Sequence, residues 1–340
     1  MRRCIITGLI LSLLLTGCAL PDRGKQQYQA TYLDVFDTVT CITAQADSEE
    51  AFQQQAEQIL ETLLRYHQLF DIYNTYPGLN NLKTINDQAG RSPVKVDEAV
   101  IRLLKDCRDY YERTGHAVNT AMGSVLALWH EARTAALADP ERAALPDAAA
   151  LREAAAHTDW SGVEIDEAAG TVFLSDPAQR LDVGAVAKGW SAQRAAEAAP
   201  AGFLISVGGN VCATGAKDDS GTPWVVGITD PEGGSEYLHT LYDTDSAIVT
   251  SGDYQRYFLV DGKPYHHIID PETLYPAGYF CSVTVICEDS GLADALSTAL
   301  FVLPQAQGAA LAADCGAEAM WVDLEGNRCY TPGFENWITQ

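Results

Sequence analysis

Short runs of β-branched and aromatic residues, each closed by Gly, Pro or Asp, constrain the fold of this chain more than any other feature. The runs lie at residues 171–174, 203–207, 224–228, 257–260 and 282–287. Each is long enough for one strand and ends at a residue that favours a turn. Helices are expected at residues 186–199 and 292–303. Because strands and helices alternate irregularly, with several strands in succession, the sequence predicts an α+β fold rather than a doubly wound parallel sheet.

Two amphipathic helices are predicted ahead of most of these strands. In residues 48–70 the apolar side chains recur at helical spacing, behind Ser48 as N-cap and with acids in the first turn. A second helix is predicted over residues 97–111 and is ended by Gly115. No repeat or shift in composition divides residues 31–340, so we expect one domain there.

The first residues have the pattern of a secretory signal. Arg2 and Arg3 precede an apolar run too short to span a bilayer, and Leu15-Thr16-Gly17 comes directly before Cys18. This ending resembles a bacterial lipobox, and the alternative is an ordinary signal peptide with a chance cysteine. We therefore expect a lipoprotein signal peptide in residues 1–17 and a lipidated N-terminus and tether in residues 18–30. The protein would be lipid-anchored to the membrane of the bacterial cell envelope and would face away from the cytoplasm.

The charge and the cysteines exclude several partners. A net charge of −24 repels nucleic acid and anionic lipid, so neither a nucleic-acid partner nor polybasic membrane binding is expected. An anionic substrate would need local compensation, most simply from a divalent cation. The nine cysteines include no Cys-x-x-Cys pair, which predicts neither a disulfide framework nor a zinc site.

Asp294, Ser297 and Thr298 form a candidate metal site. Their spacing on a predicted helix projects one carboxylate and two hydroxyls from nearly one face. Three hard oxygens suit magnesium or calcium, with water and a substrate phosphate completing the shell. The alternative is that Thr298 donates back to the helix carbonyl of Asp294 and that Asp294 is a buried, hydrogen-bonded acid. Spacing alone does not decide between them.

Two further clusters indicate an anionic ligand. Residues 180–189 have the pattern of a strand end, a Gly turn and a helix start, where exposed amides and Lys188 would attract phosphate. His266 and His267 would face opposite sides of a strand, so only one can face a site. A histidine beside Asp270 could serve as a general base near neutral pH.

Three weaker signals concern a planar or closely approaching ligand. Tyr73 and Asn119 could stack on and hydrogen-bond a heterocycle, although each is also ordinary core and turn material. The paired glycines Gly208 and Gly209 follow a predicted strand, where they either form a turn or let the backbone approach a ligand.

Taken in order, these segments resemble the ApbE family of FAD:protein FMN transferases, which are bacterial lipoproteins of flavin trafficking. The resemblance runs across residues 31–330 and is carried by Phe70-Asp71-Ile72-Tyr73, residues 118–129, Leu181-Asp182 with Lys188-Gly189, Val207-Gly208-Gly209, Thr250-Ser251-Gly252 with Tyr254, His267-Ile268-Ile269-Asp270-Pro271, and Ala293-Asp294 with Ser297-Thr298. It implies a T-fold-like α+β architecture with mixed or antiparallel sheets flanked by helices. Residues 31–340 would form the FAD-binding catalytic domain.

The resemblance also implies a site and a reaction. The residues expected to line FAD, the substrate, are Phe36, Tyr73, Ala117, Val118, Asn119, Asp182, Lys188 and Ile268. The expected ligands of Mg²⁺ are the carbonyl of Ala185 and the side chains of Asp294, Ser297 and Thr298. The implied reaction cleaves the FAD pyrophosphate, joins FMN by a phosphoester to a Thr or Ser of an acceptor flavoprotein and releases AMP. We expect His267 to be the base and Asp294 to act in catalysis through the metal.

The chain departs from the family pattern at three places. Phe36-Asp37-Thr38 occupies the place where many members have Met-Gly-Thr. Asn119 occupies the position of an aspartate in the family, and Leu274 follows Thr273 where a glycine is usual. Because a leucine does not readily adopt the positive φ that glycine allows, the loop after Pro271 is expected to differ.

Alternative functions follow from the same residues. Asp219-Ser220-Gly221-Thr222 approaches the Ser/Thr-Gly-Ala-Ser/Thr type of acceptor motif but lacks the alanine, so we expect the donor enzyme rather than a flavinylated target. A Mg-dependent FAD pyrophosphatase giving FMN and AMP would use the same site, because the acceptor contributes only the nucleophile. A non-catalytic FAD-binding lipoprotein is the third hypothesis, although pure binding needs neither a metal nor a base.

Overall fold

A computed structural model describes residues 25–234 and 236–339. The predicted signal peptide, Cys18 and most of the tether lie outside the described residues. Within the described ranges, no helix is long and apolar enough to cross a membrane. The seven cysteines of these ranges are all free.

An antiparallel sheet of eight strands forms the framework. The strands of the described chain are β1 Gln26–Val35, β2 Thr38–Ala46, β3 Val94–Lys95, β4 Val163–Asp166, β5 Thr171–Leu174, β6 Phe203–Val207, β7 Asn210–Ala213, β8 Trp224–Thr229, β9 Tyr237–Asp243, β10 Ala247–Gly252, β11 Tyr257–Val260, β12 Lys263–His266, β13 Phe280–Cys287, β14 Glu318–Asp323 and β15 Arg328–Tyr330. The large sheet has the order β1-β2-β6-β7-β10-β13-β14-β15. The remaining strands form a three-stranded sheet, β3-β5-β4, and the hairpins β8-β9 and β11-β12.

Helices cover one face of this sheet. The described residues contain α1 Glu49–Phe70, α2 Leu82–Asp87, α3 Glu98–Arg113, α4 Gly123–Ala138, α5 Ala148–Ala155, α6 Ala187–Ala198, α7 Ser290–Val302 and α8 Gln305–Asp314. Three short 3₁₀ turns lie at Pro140–Arg142, Trp160–Gly162 and Phe334–Trp337. The predicted α+β class is confirmed, with antiparallel sheets flanked by helices.

The cores follow from side-chain alternation along the strands. Apolar residues on one face of β1, β2 and β6 pack against α1 and α6, and those of β10, β13 and β14 pack against α7 and α8. On the other face, Ile248 and Ile286 pack against the β8-β9 hairpin. A separate cluster joins α4 and α5 to the β11-β12 hairpin. Because successive residues of a strand point to opposite faces, one strand such as β10 serves two cores.

The predicted elements are confirmed at nearly their predicted bounds. Ser48 caps α1 by accepting a hydrogen bond from the amide of Ala51, and Asp97 caps α3 in the same way. Strands β5, β6 and β11 have the predicted ends, and β8 and β13 are longer by one and two residues. The paired glycines Gly208 and Gly209 form the two-residue turn between β6 and β7, both at positive φ.

Candidate functional site

A cleft of about 910 Å³ lies where α6 and α7 meet the tip of the β1-β2 hairpin, α4 and the β11-β12 hairpin. Its size is within the range of pockets that bind cofactor-sized molecules. Nearly all predicted site residues line it: Phe36, Tyr73, Ala117, Val118, Asn119, Asp182, Ala185, Lys188, His267, Ile268, Asp294 and Thr298. The Thr250-Ser251-Gly252 segment, at the end of β10, lines it too. The structure therefore brings together segments that lie far apart in the sequence.

Asp294 is the most buried acid among the described residues of the cleft. Its carboxylate is buried, and Oδ2 accepts a hydrogen bond of 2.8 Å from the amide of Gly189 and lies 3.5 Å from Nζ of Lys188. Burial raises the pKa of Asp294, and the Lys188 charge opposes that shift. In the described part of the chain Oδ1 makes no hydrogen bond, so one carboxylate oxygen remains available to a ligand in the cleft.

Ser297 is separated from the other predicted metal ligands. It is fully buried, does not line the cleft and donates a hydrogen bond of 2.9 Å to the carbonyl of Asp294. Its oxygen also lies 2.8 Å from that of Ser251. The back-bond considered for Thr298 is therefore made by Ser297, whereas the Thr298 hydroxyl makes no hydrogen bond within the described residues and lines the cleft.

The start of α6 differs from the predicted anion site. The amide of Ala187 donates to the carbonyl of Val183 at 2.8 Å, and the amide of Gly189 donates to Asp294. These two amides are therefore bound by the chain itself, whereas the amide of Lys188 makes no hydrogen bond within the described residues. Lys188 is the residue of this turn whose charge reaches the cleft.

Both histidines line the cleft, but they differ in what their ring nitrogens bind. Nε2 of His266 lies 2.9 Å from the carbonyl of Ala277, and its Nδ1 accepts from the amide of Ile268. Nδ1 of His267 lies 3.2 Å from the carbonyl of Arg256, which can only accept, so the proton sits on Nδ1. Nε2 of His267 is then an acceptor, and no described residue bonds it. His266 is therefore a structural residue, and His267 has the free nitrogen that a base needs.

The electrostatics of His267 keep the ring neutral. Desolvation in the cleft and the positive charges of Arg256 and Lys188 lower its pKa well below the ordinary histidine value. Asp270 accepts from the amide of Glu272 and the hydroxyl of Thr273 within its own turn. No hydrogen bond joins it to either histidine within the described residues.

The loop after Pro271 keeps the positive-φ turn despite its leucine. Leu274 has a φ of 66°, its amide donates to the carbonyl of Asp270, and its carbonyl accepts from Nε1 of Trp129. Leu274 therefore adopts the positive φ that glycine would allow. The surrounding contacts impose a conformation that costs a leucine about 1–2 kcal/mol.

The tip of the β1-β2 hairpin is strained in the same way. Phe36 and Asp37 form the two-residue turn, and both have a φ of 51°, as a type I′ turn requires. The amide of Phe36 donates to Nδ1 of His67, whose ring also meets the Phe36 ring edge-on. The aromatic side chain is thus fixed at the mouth of the cleft.

Tyr73 and Asp182 are joined through a histidine. The Tyr73 hydroxyl and Nδ1 of His130 are hydrogen-bonded, and Nε2 of His130 lies 3.8 Å from Oδ2 of Asp182. The other oxygen of Asp182 accepts from the amide of Gly184. Tyr73 keeps more than half of its surface exposed, so its ring is anchored at one end and free to stack.

Asn119 supports the cleft wall rather than reaching into it. Its amide donates to the carbonyl of Thr158 at 3.0 Å, and its carbonyl oxygen accepts from the amide of Ala121 at 2.9 Å. Both ends of the side chain are therefore engaged by the protein.

Two cleft residues escaped the sequence analysis. His130 follows Trp129 on α4, and Arg256 comes two residues after the Tyr254 of the Thr-Ser-Gly segment. Either could have been suspected because cations are few in so acidic a chain. Their roles depend on contacts with Tyr73 and with the hairpin tip, which sequence spacing does not predict.

The donors at the Asp294 corner fit a hard cation. Asp294, Thr298 and Ala185 all line the cleft, and a carboxylate, a hydroxyl and a backbone carbonyl are the oxygen ligands that such a cation prefers. No group of three or more His, Cys, Asp and Glu is placed to hold a metal ion anywhere in residues 25–234 and 236–339. Any metal here would therefore rely on carbonyl, hydroxyl, water and ligand oxygens beside one carboxylate.

Comparisons with known proteins agree with this architecture. A model described as the ApbE family matches residues 36–321. The FAD:protein FMN transferase of Treponema pallidum (strain Nichols) is 36% identical over 261 residues, which cover 71% of this chain and 70% of the relative. A FAD:protein FMN transferase of Klebsiella pneumoniae (strain 342) is 33% identical over 261 residues, covering 75% and 77%.

Solved structures show the same fold. The crystal structure of the ApbE protein from Thermotoga maritima superimposes with a TM-score of 0.82 at 31% identity, over 93% of this chain and 100% of that chain. The flavin transferase ApbE from Vibrio cholerae gives a TM-score of 0.74 at 21% identity, over 92% and 99%. The family model and the relatives above 30% identity together show that this chain belongs to the ApbE family.

Proposed function

We propose that the protein is an FAD:protein FMN transferase that moves FMN from FAD to a Ser or Thr hydroxyl of an acceptor flavoprotein. The observation that carries the proposal is the pairing, across one cleft, of a buried acid with a free oxygen and a histidine with a free Nε2. The family relatives above 30% identity bear the same activity in their names.

In the proposed reaction the acceptor hydroxyl attacks the phosphorus of the FMN half of FAD. The bond from that phosphorus to the bridging oxygen breaks, a phosphoester forms, and AMP leaves with the bridging oxygen. His267 takes the hydroxyl proton on Nε2, because Nδ1 is held by the Arg256 carbonyl. Lys188 and Arg256 supply positive charge on the side of the cleft where His267 lies.

We propose Mg²⁺ as the cation, held by Asp294, Thr298 and the Ala185 carbonyl. When bound, it would neutralise charge on the bridging phosphates. Ser297 would support Asp294 from behind through its hydrogen bond to the Asp294 carbonyl. Phe36, Tyr73 and Ile268 offer the apolar and aromatic surface that a flavin ring requires.

The cellular setting is a further part of the proposal. Cys18 would carry the lipid that anchors the protein to the outer side of a bacterial membrane, and the acceptor would be an extracytoplasmic flavoprotein with a Ser/Thr-Gly-Ala-Ser/Thr type of motif. The lipobox-like Leu15-Thr16-Gly17-Cys18 supports the anchor.

The test is incubation of the full-length protein with FAD, MgCl₂ and a peptide that carries the motif, followed by mass spectrometry. We expect FMN mass on the peptide and an equal amount of AMP, both abolished by chelation and by Asp294→Ala. AMP and FMN without an adduct would identify a pyrophosphatase. Intact, bound FAD without product would identify a carrier.

A further inference from the structure

Arg256 lines the cleft, and its side chain makes only two long contacts among the described residues. It lies just before β11, and its Nη2 is 3.5 Å from the carbonyl of Phe36 and 3.4 Å from that of Asp37. Both contacts are at the long end of hydrogen bonding. They hold the guanidinium at the hairpin tip while most of its donors remain unused.

No carboxylate pairs with this arginine among the described residues, although the chain has 46 acids. Two other partly or fully buried cations are paired: Nζ of Lys188 lies 3.5 Å from Oδ2 of Asp294, and Nη2 of Arg194 forms ion pairs with Glu197 and Asp289. An unpaired guanidinium in a cleft of so acidic a protein is available to an anionic ligand.

The position of Arg256 relative to other cleft residues indicates which anion it meets. Its backbone carbonyl accepts from both the amide and Nδ1 of His267, so the arginine and the candidate base share one loop. Its charge also acts on His267 together with that of Lys188, and on Tyr73 at the other wall. Arg256, Tyr73 and His267 all line the same cleft, so the guanidinium shares it with the candidate flavin-stacking residue and the candidate base.

We propose that Arg256 binds the diphosphate of FAD, exchanging its long contacts with the hairpin carbonyls for paired hydrogen bonds to phosphate oxygens. This inference rests on the proposed function. Its physical reason is that a planar guanidinium donates two parallel bonds to a phosphate, which are shorter and stronger than bonds to neutral carbonyls. Arg133, also in the cleft, lies on α4, and within the described residues no hydrogen bond joins it to the loop that carries His267.

The experiment compares ligands with and without a diphosphate. Binding of FAD, ADP and riboflavin to the full-length protein is measured by calorimetry for the wild type, Arg256→Gln and Arg256→Lys. We expect Arg256→Gln to weaken the binding of FAD and ADP by at least about tenfold and to leave the affinity for riboflavin within about twofold of the wild type. Arg256→Lys should recover part of the loss, because it restores charge without the planar donor pair. Arg102→Gln, an exposed position on α3, is the matched control for charge and should change none of the three.

Several outcomes would overturn the proposal. Unchanged binding of FAD and ADP by Arg256→Gln means that Arg256 does not meet the diphosphate. Equal weakening of riboflavin means that it acts by holding the hairpin. If riboflavin binds too weakly to compare, amide hydrogen exchange of residues 33–39 is measured in ligand-free Arg256→Gln. Faster exchange than in the wild type, together with weaker FAD binding, would mean that Arg256 acts by holding the hairpin and not by binding phosphate. Failure of the wild type to bind FAD would instead refute the proposed function.

Discussion

At the scale of the residue, the chemistry of the cleft depends on which ring nitrogen of each histidine is free. His266 and His267 are adjacent, and their sequence context gives them equal claims to be the base. The structure distinguishes them because the Ala277 carbonyl and the Ile268 amide bind both nitrogens of His266, whereas the Arg256 carbonyl binds Nδ1 of His267. That distinction depends on neighbours from other segments, so the sequence could predict the pair but not the tautomer.

Substitution of His267, whose Nε2 is free, gives the first prediction. His267→Asn should lower the rate of FMN transfer by about 10²–10⁴-fold, the usual contribution of a positioned base, and leave FAD binding within a few fold. Because the pKa of His267 is lowered, the wild-type rate should not fall as the pH decreases through the ordinary histidine pKa. Transfer rates from pH 5 to pH 8 measure this. His116→Asn, at an exposed position outside the cleft, is the control and should keep the wild-type rate. An unchanged transfer rate for His267→Asn would exclude His267 as the base.

A buried acid far from the cleft gives the second prediction. Asp243 is 1% exposed, its Oδ1 accepts from the amide of Ser246, and its Oδ2 has no partner in the described structure. Burial raises the pKa of Asp243 to about 7. Between pH 4 and pH 7 the unfolded chain then ionises this group while the folded chain keeps the proton, so stability falls as the pH rises, by up to about 4 kcal/mol.

Asp243→Asn should flatten that decline, as measured by urea unfolding at pH 5 and pH 8. The Oδ1 acceptor is retained by the asparagine, so the turn should survive. Asp34→Asn, which removes an exposed charge, is expected to leave the slope unchanged. An equally steep decline in Asp243→Asn would show that other groups cause it.

At the scale of the element, the sequence predicted what turn chemistry and periodicity control. Strands β5, β6 and β11 end at Gly or Asp signals and were predicted at their observed bounds. The β1-β2 hairpin was not predicted, because its turn is Phe36-Asp37 rather than the Asn-Gly type that marks a type I′ turn. Of the amides expected to be exposed at the start of α6, that of Gly189 is bound by Asp294 of α7, a partner distant in sequence.

The close approach of α6 and α7 gives the third prediction. A Cβ at Gly189 would lie 2.2 Å from the carbonyl oxygen of Ser290 and 2.5 Å from Cβ of Asp294. Gly189→Ala should therefore push the helices apart, lower stability by about 2–3 kcal/mol and displace the Asp294 carboxylate. Denaturant unfolding measures the first effect, and transfer activity under folding conditions measures the second. Gly278→Ala, where a Cβ meets nothing within 4 Å, should be neutral, and equal stability of the two variants would contradict the expected clash.

The strained turn at Leu274 gives the fourth prediction. Leu274→Ala removes the side chain but keeps a residue at positive φ, whereas Leu274→Gly removes the same packing and also relieves the backbone. The glycine variant should be more stable than the alanine variant by about 1 kcal/mol. Thermal unfolding of the two variants side by side gives the difference. A more stable alanine variant would mean that the loop changes conformation on substitution.

At the scale of the whole molecule, strand β1 runs from the first described residues to the mouth of the cleft. β1 runs from Gln26 to Val35 at the edge of the large sheet, and the next residue, Phe36, is at the cleft mouth. Ten strand residues at about 3.3 Å each separate the two points by about 33 Å. A lipid at Cys18 would thus hold the protein by the end of β1 that lies away from the mouth, which leaves the cleft accessible to an acceptor.

Removal of the lipid site gives the last prediction. Cys18→Ser should abolish the incorporation of labelled fatty acid into the protein, because it removes the thiol that would carry the lipid. Its kcat/KM for a soluble acceptor peptide should stay within about twofold of the wild type, since the anchor and the cleft mouth are separated by the length of β1. Transfer to a membrane-bound acceptor should fall, because anchoring raises the local concentration of the two partners. Fatty-acid labelling that persists in the variant would refute Cys18 as the lipid site, and a loss of activity on the soluble peptide would show that residues before β1 take part in the site.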